Sequence, residues 1–127
     1  MRGLIDTSVF IADEQGRALA IDRLPDEWAV SVVTLAELEL GVHMAGSEEI
    51  RARRLRTLHA VRSTYVSLPI DEKVASSFAA IVAAARAAGR RAKVQDAWIA
   101  ASAHAHEVAV YTQDDDFDAF GVHVVRV

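Results

Sequence analysis

Short apolar runs alternate with longer segments of helical spacing along this chain. The predicted strands cover residues 3–5, 28–32, 65–68, 108–111 and 122–127. The predicted helices begin after Asp6 and then cover residues 17–24, 34–46, 47–62, 71–88 and 94–106. Because parallel strands need crossover connections that are usually helices, this order predicts an α/β fold with a central parallel sheet flanked by helices.

Length and charge limit the classes of function. A chain of 127 residues has room for one core, so we expect a single domain over residues 1–127. With 14 Lys and Arg against 18 Asp and Glu, the net charge of −4 offers no general attraction for phosphate. The absence of cysteine excludes disulfides, thiolate nucleophiles and thiolate zinc sites. A bound metal would therefore have oxygen ligands.

The apolar content indicates that the chain has partners. A hydrophobic fraction of 52% is high for a small monomer, so we expect a homodimer or an obligatory protein partner. No apolar segment has the length needed to cross a bilayer, and the N-terminus lacks a secretory apolar segment. We therefore expect a cytoplasmic protein that does not engage a membrane.

Four acidic residues border apolar segments: Asp6, Glu37, Asp96 and Asp114. Asp6 and Asp114 follow predicted strands, whereas Glu37 and Asp96 fall in the first turns of predicted helices. Since ligands of open parallel sheets bind at the carboxyl ends of the strands, we expect the four acids to converge on one cleft there. Each acid taken alone also fits a helix cap or a solvated turn.

A cluster of carboxylates requires a neutralising partner. Two unit charges about 4 Å apart repel by roughly 4 kcal/mol at an effective dielectric of 20. Mg²⁺ and Mn²⁺ accept carboxylate and water ligands and leave positions open for a phosphate oxygen. The acids therefore indicate metal-assisted phosphoryl hydrolysis.

The segments LIDTSVF, AELELGV, DAWIAASA and YTQDDDF resemble, in this order, the motifs of PIN-domain ribonucleases. With this length the chain is most similar to the VapC toxins of bacterial VapBC toxin–antitoxin pairs. The resemblance spans almost the whole chain. It implies a PIN-like fold, an endoribonuclease that depends on Mg²⁺ or Mn²⁺, an RNA substrate such as transfer or ribosomal RNA, a homodimer, and a VapB-like antitoxin.

The resemblance also implies roles for individual residues. The catalytic acids would be Asp6, Glu37, Asp96 and Asp114. Of these, Asp6, Asp96 and Asp114 would bind the metal, and Glu37 would orient or deprotonate the attacking water. The supporting residues would be Ser8, Thr112 and Asp116. The run Asp114–Asp116 leaves open which carboxylate faces the metal, and Thr7 is interpreted as a turn or cap residue.

Basic and aromatic side chains allow two interpretations each. Arg90, Arg91 and Lys93 lie just before Asp96 and are the preferred candidates for binding RNA phosphates. A second basic group either forms a solvated helix surface paired with Glu48 and Glu49 or grips RNA; it comprises Arg51, Arg53, Arg54 and Arg56. Trp98 is interpreted as a packing residue, with base stacking as the alternative.

Two alternative functions would require acids that this chain lacks, and a third would not. A receiver-type signalling module would need an acid at the end of the third strand, where Ser67 and Leu68 precede Pro69. A haloacid-dehalogenase-like phosphatase would need an acid at position 8, which is serine. A catalytically silent PIN-fold module that binds RNA or protein is the remaining alternative, and it is disfavoured because all four acids are present.

Overall fold

The computed structural model of the protein describes residues 2–127. The strands are β1 (Arg2–Ile5), β2 (Glu27–Ser31), β3 (Val66–Leu68), β4 (Ala109–Thr112) and β5 (Val124–Arg126). The helices are α1 (Thr7–Glu14), α2 (Val32–His43), α3 (Glu48–Thr64), α4 (Glu72–Ala87) and α5 (Val94–Ala105). Two short 3₁₀ helices cover Ile21–Arg23 and Asp116–Phe120.

The five strands form one parallel sheet in the order β3-β2-β1-β4-β5. Successive residues of β1 point to opposite faces, and both Leu4 and Ile5 are fully buried. Leu4 belongs to the core cluster that contains α4 and α5, whereas Ile5 belongs to the cluster that contains α1, α2 and α3. The predicted α/β fold, with helices on both faces of a parallel sheet, is confirmed.

The predicted helix over residues 17–24 is wrong. Helix α1 ends before Gly16, whose φ of 70° is in the left-handed region that glycine tolerates. The amide of Arg17 donates to the carbonyl oxygen of Ala12 and closes that helix end. Pro25 disfavours helical backbone at the residue before it, and Leu24 is extended with a ψ of 147°. Only the 3₁₀ helix Ile21–Arg23 forms.

Helix α2 begins two residues earlier than predicted. Ser31 is its N-cap, and the Ser31 hydroxyl accepts a hydrogen bond from the amide of Val33 at 3.0 Å. Glu37 therefore lies in the second turn of α2 and not in the first. The predicted last strand is also shorter than expected, since only Val124–Arg126 pairs with β4.

No helix within residues 2–127 combines the length and apolar character that a bilayer span requires.

Gly3 allows β1 to occupy the centre of the sheet. A Cβ atom at this position would lie 2.2 Å from Cε1 of Tyr111 and 2.8 Å from Cγ of Pro25. Tyr111 is buried and packs in the core cluster, so its ring has little room to move. A side chain at residue 3 would therefore push β1 away from its neighbours.

We expect Gly3→Ala to destabilise the fold by about 1–3 kcal/mol, because it overpacks a tight core position. The matched control is Gly41→Ala in α2, where the added Cβ would meet only Cδ of Arg54, at 3.8 Å. This control should stabilise α2 by up to about 1 kcal/mol through helix propensity. Urea unfolding of both variants measures the difference, and a Gly3→Ala protein as stable as wild type would contradict the packing account.

Candidate active site

Asp6 lies at the carboxyl end of the central strand β1 and is only 3% exposed. It is the N-cap of α1, with its Oδ2 accepting from the Ser8 amide at 3.3 Å. The same oxygen accepts from the Ser8 hydroxyl at 2.6 Å and from the Thr112 hydroxyl at 2.9 Å. The Asp6 amide donates to the carbonyl oxygen of Tyr111 at 2.9 Å, which fixes this residue against β4.

The two hydroxyls that hold Asp6 are themselves oriented by backbone amides. The amide of Gln113 donates to Ser8 Oγ at 3.1 Å, and the amide of Asp114 donates to Thr112 Oγ1 at 3.0 Å. A hydroxyl has one hydrogen to donate, so each of these groups accepts a hydrogen bond from the backbone and donates one to Asp6. Within residues 2–127, no hydrogen bond reaches Asp6 Oδ1, which leaves that oxygen available to a cation.

Glu37 is held by a buried pair of threonines. Thr7 Oγ1 lies 2.8 Å from Glu37 Oε1 and 3.0 Å from Thr34 Oγ1. Thr7 and Thr34 are 5% and 0% exposed. The Thr7 hydroxyl is the donor to the Glu37 carboxylate, which can only accept when it is ionised. The interpretation of Thr7 as a turn or cap residue is therefore wrong, because it is the residue that orients Glu37.

Asp96 is the third residue of α5 and is half-buried. Burial raises the pKa of Asp96 to about 6, and the negative charges of Asp6, Asp116 and Glu37 contribute in that order. The positive charge of Lys93 opposes this increase in the pKa. Within residues 2–127, no hydrogen-bond donor contacts the Asp96 carboxylate. This acid is therefore closely surrounded by like charges and lacks a neutralising partner.

The pKa values of the other two inward acids, Asp6 and Glu37, are also raised. Burial raises the pKa of Asp6, although the hydrogen bonds from Ser8 and Thr112 oppose the increase. Burial also raises the pKa of Glu37, where the Thr7 hydrogen bond opposes the increase and the charges of Asp6 and Asp114 add to it. Three acids from β1, α2 and α5 thus act on one another electrostatically at the carboxyl edge of the sheet.

The three carboxylates of the acidic turn have different partners. The charge of Asp114 raises the pKa of both Asp6 and Glu37, so this side chain belongs to the acidic cluster. Asp115 forms an ion pair with Arg126 of β5. Asp116 forms an ion pair with Lys93 at 3.1 Å and also raises the pKa of Asp96. Asp115 is the carboxylate that turns away from the cluster.

Arg126 holds the acidic turn in place, although the sequence does not single it out. Besides Asp115, its guanidinium binds both carboxylate oxygens of Asp118, at 2.9 and 2.7 Å. These contacts tie β5 to both sides of Asp116. No local sequence signal marks them, since β5 and the turn meet only in the folded sheet.

The predicted RNA-binding residues differ in whether their cationic groups already have a hydrogen-bond or ion-pair partner in the protein. Lys93 is paired with Asp116, and Arg90 donates one hydrogen bond to the carbonyl oxygen of Asp118 at 3.1 Å. The guanidinium of Arg91 makes no hydrogen bond or ion pair within residues 2–127. All three remain exposed.

The alternatives for α3 and Trp98 are resolved in part. Arg51 forms an ion pair with Glu48, as the solvated-helix interpretation predicts. Arg54 donates to the carbonyl oxygen of Gly41 at 2.7 Å and so joins α3 to α2. The Trp98 ring stacks on Phe78 with centroids 3.8 Å apart, which confirms its interpretation as a packing residue.

Comparison with known sequences places this arrangement in a family. The sequence model of the family described as PIN domain matches residues 3–122. The chain belongs to the PIN-domain family. The resemblance predicted from the four motifs is thereby confirmed.

This PIN domain is similar along its whole length to proteins of Mycobacterium tuberculosis. It is 45% identical to Ribonuclease VapC5 over 129 residues, covering 98% of this chain and 95% of that protein. It is 48% identical to Ribonuclease VapC4 over 128 residues, and this match covers 99% of this chain and 97% of VapC4. A crystal structure from the same organism shows VapBC-5, a member of the VapBC family of toxin–antitoxin systems. One of its chains superposes on this chain with a TM-score of 0.92 and 42% sequence identity, and the match covers 99% of this chain and 98% of that chain.

The donor chemistry of this PIN domain fits a hard divalent cation. Asp96 and Asp6 Oδ1 have no hydrogen-bond donor within residues 2–127, and oxygen ligands are those that Mg²⁺ and Mn²⁺ prefer. No three histidine, cysteine, aspartate or glutamate side chains in the described part of the chain are arranged to hold a metal ion together. Since Mg²⁺ often takes one or two protein carboxylates and keeps several waters, two carboxylates such as Asp6 and Asp96 would be enough to hold such an ion.

We expect Asp96→Asn to stabilise the metal-free protein. The folded-state pKa of Asp96 lies above its unfolded value, so its stabilising contribution is complete below about pH 4 and is lost as the pH rises through about 6. At about pH 7.5 the variant should gain about 1–2 kcal/mol in the free energy of unfolding, after allowance for solvent screening of a half-buried group.

Urea unfolding in a chelating buffer at about pH 4.5 and pH 7.5 measures this difference between Asp96→Asn and wild type. The gain should shrink at the lower pH, where the wild-type carboxyl is protonated. The control is Glu107→Gln, which removes an exposed carboxylate just beyond the C-terminal end of α5, outside the acidic cluster. A variant less stable than wild type at about pH 7.5 would contradict the assignment of an uncompensated charge.

Proposed function

We propose that this PIN domain is a metal-dependent endoribonuclease and the toxin of a VapBC-type toxin–antitoxin pair. The observation that carries the proposal is the cluster of inward acids with raised pKa values, formed by Asp6, Glu37 and Asp96 at the carboxyl edge of the sheet. The names of its relatives agree with this chemistry. Residues 1–127 would form a single domain that acts in the cytoplasm.

Asp6 and Asp96 would hold Mg²⁺ or Mn²⁺, and Asp114 would contribute directly or through a water molecule. When bound, the ion supplies positive charge that polarises the scissile phosphate and makes a bound water more acidic. Ser8 and Thr112 keep Asp6 Oδ2 occupied, so that the carboxylate presents Oδ1 to the cation. Lys93 forms its ion pair with Asp116 and not with Asp96.

Glu37 would accept the proton of the attacking water. A general base works best when its pKa lies close to the operating pH, and burial moves the pKa of Glu37 in that direction. The Thr7 hydroxyl fixes Oε1, which leaves Oε2 to face the water. As water adds to phosphorus, the P–O bond to the leaving ribose oxygen breaks and that oxygen takes up a proton.

Cationic side chains beside the acids indicate the substrate, and exposed apolar side chains indicate a protein partner. Arg90, Arg91 and Lys93 beside the acids would bind the phosphates of an RNA such as transfer or ribosomal RNA. Exposed apolar side chains, among them Leu40 of α2 and Met44 directly after it, would be covered by a second copy in a homodimer or by a VapB-like antitoxin. An antitoxin arginine would suit the acidic cleft, because it binds carboxylates in bidentate fashion.

We expect Asp6→Asn and Asp96→Asn each to lower metal-dependent RNA cleavage by more than about 100-fold, since loss even of an outer partner of a metal ligand costs about 10–100-fold. Purified protein is incubated with transfer and ribosomal RNA, with Mg²⁺, Mn²⁺ or chelator, and the products are separated by electrophoresis. Circular dichroism confirms that each variant is folded.

Glu107→Gln is again the control, because it removes a carboxylate far from the cleft. Full cleavage by a folded Asp6→Asn or Asp96→Asn protein would refute the assignment of the site. A wild-type protein that binds RNA and cleaves none with either metal would point instead to the catalytically silent binding module.

A further inference from the structure

The hydroxyl of Thr7 has one hydrogen and two acceptors. Its Oγ1 lies 2.8 Å from Oε1 of Glu37 and 3.0 Å from Oγ1 of Thr34, and its geometry allows it to donate to either oxygen. Because a hydroxyl has a single hydrogen to donate, these two acceptors compete for it. When Glu37 is ionised, its carboxylate is the stronger acceptor, and the Thr7 hydrogen is directed to Glu37.

The two threonines are closed off from solvent. Thr7 is buried, and Thr34 is completely buried. A buried hydroxyl that loses its partner cannot turn to water instead, and leaving it unpaired destabilises the state in which this happens. Any change in the hydrogen bonding of Thr7 must therefore be satisfied by another atom of the protein.

Helix formation does not explain why residue 34 carries a hydroxyl. Thr34 is the third residue of α2, and the hydroxyl of Ser31 already caps this helix. Valine has the shape of threonine and would fill the same buried position with no hydroxyl to desolvate. Thr34 and Glu37 are three residues apart on α2, so they lie on the same side of the helix, where both contact Thr7 of α1. The contact with Thr7 is thus the feature that accounts for the hydroxyl.

Uptake of a proton by Glu37 reverses what its carboxyl group needs from Thr7. A protonated Oε1 has a hydrogen to donate, and Thr7 Oγ1 lies close enough to accept it. Thr7 must then direct its own hydrogen to another acceptor, and Thr34 Oγ1 is the acceptor within reach. With Thr34 present, Glu37 keeps a hydrogen-bond partner in both protonation states, and only the Thr7 hydrogen changes direction.

The charged groups around Glu37 all act in one direction. Burial raises its pKa, and the negative charges of Asp6 and Asp114 add to this increase. The charges of Glu37 and Asp96 also repel each other. Within residues 2–127, no cationic side chain contacts the Glu37 carboxylate. The hydrogen bond from Thr7 opposes the increase in the pKa, so the direction of the Thr7 hydrogen affects how strongly Glu37 holds a proton.

We propose that Thr34 is a positioning residue of the reaction, because its hydroxyl oxygen receives the Thr7 hydrogen when Glu37 takes up the proton of the attacking water. Thr7 donates to Glu37 before this proton transfer and accepts from it afterwards. This inference rests on the proposed ribonuclease function and adds to it a residue that acts on the general base through another side chain.

The first test removes the hydroxyl of Thr34 and measures cleavage. In Thr34→Val, a protonated Glu37 would leave the buried Thr7 hydrogen without an acceptor, so the single-turnover rate constant with Mn²⁺ should fall by about tenfold. The Kd for RNA, measured by fluorescence anisotropy, should not change. Thr34→Ser retains the oxygen and should cleave at nearly the wild-type rate.

The matched control is Thr57→Val in α3, outside the acidic cluster. The Thr57 hydroxyl bonds only to the carbonyl oxygen of Arg53 in its own helix. This variant should cleave RNA like wild type. Circular dichroism confirms that the variants are folded, and if Thr34→Val does not fold, Thr34→Ala and Thr34→Ser provide the same comparison.

A second test does not depend on cleavage. The carboxyl ¹³C signal of Glu37, assigned by its loss in Glu37→Gln, reports the pKa of this group in the metal-free protein. Thr34→Val should lower the pKa by about 1 pH unit, the equivalent of the tenfold effect, because only the protonated form loses a partner. Thr7→Val should raise the pKa, because the ionised form loses its donor. A general loss of packing would not shift the pKa in opposite directions.

The double variant Thr7→Val/Thr34→Val shows whether Thr34 acts through Thr7. If it does, Thr34→Val should have no further effect on the rate once the Thr7 hydroxyl is absent. The same tenfold loss in both backgrounds would mean that Thr34 acts through packing, and the inference would be wrong. A folded Thr34→Val protein with the wild-type rate and the wild-type pKa of Glu37 would also overturn it.

Two outcomes separate this inference from the proposed function. If wild type cleaves no RNA while Thr34→Val lowers the pKa of Glu37, the ribonuclease proposal fails and the hydrogen-bond exchange between Thr7 and Thr34 stands. If wild type cleaves RNA while Thr34→Val changes neither the rate nor the pKa, the inference fails and the ribonuclease proposal stands.

Discussion

The hydrogen bonds that hold the buried Asp6 carboxylate determine the rest of the site. Asp6 follows the central strand, caps α1 and accepts hydrogen bonds from the hydroxyls of Ser8 of α1 and Thr112 of β4. One carboxylate oxygen thus joins three elements at the carboxyl edge of the sheet. Because the same hydroxyls accept the amides of Gln113 and Asp114, this contact also sets where the acidic turn begins.

Burying these carboxylates close to one another destabilises the protein, because their charges lose solvation and repel one another. Burial and mutual repulsion raise the pKa values of Asp6, Glu37 and Asp96. Among residues 2–127, no cationic side chain forms a hydrogen bond with any of the three. The available cations are used at the edge, where Lys93 pairs with Asp116 and Arg126 with Asp115. The cluster therefore retains negative charge that a divalent ion can neutralise, which is consistent with a site shaped for function at the expense of stability.

The parts of the structure that could be predicted are those with a local cause. The apolar runs predict the parallel sheet, and an acid followed by hydroxyl residues marks the end of β1. The bond between Thr7 and Glu37 could not be predicted, because thirty positions separate the residues and only the crossing of α1 and α2 brings them together. The same holds for Arg126, whose partners depend on the register of β5 beside β4. The helix predicted over residues 17–24 does not form. Its helical spacing of apolar residues is a local signal, but Gly16 and Pro25 at its two ends disfavour a helix there.

These carboxylates share negative charge, and we propose that a divalent cation neutralises it. Isothermal titration of Mn²⁺ into the metal-free protein, repeated in buffers with different heats of ionisation, counts the protons released on binding. Because the pKa of Asp96 is about 6 and metal ligands must be deprotonated, we expect proton release at about pH 6 that disappears at about pH 8. Binding without proton release at about pH 6, or no binding at either pH, would contradict it.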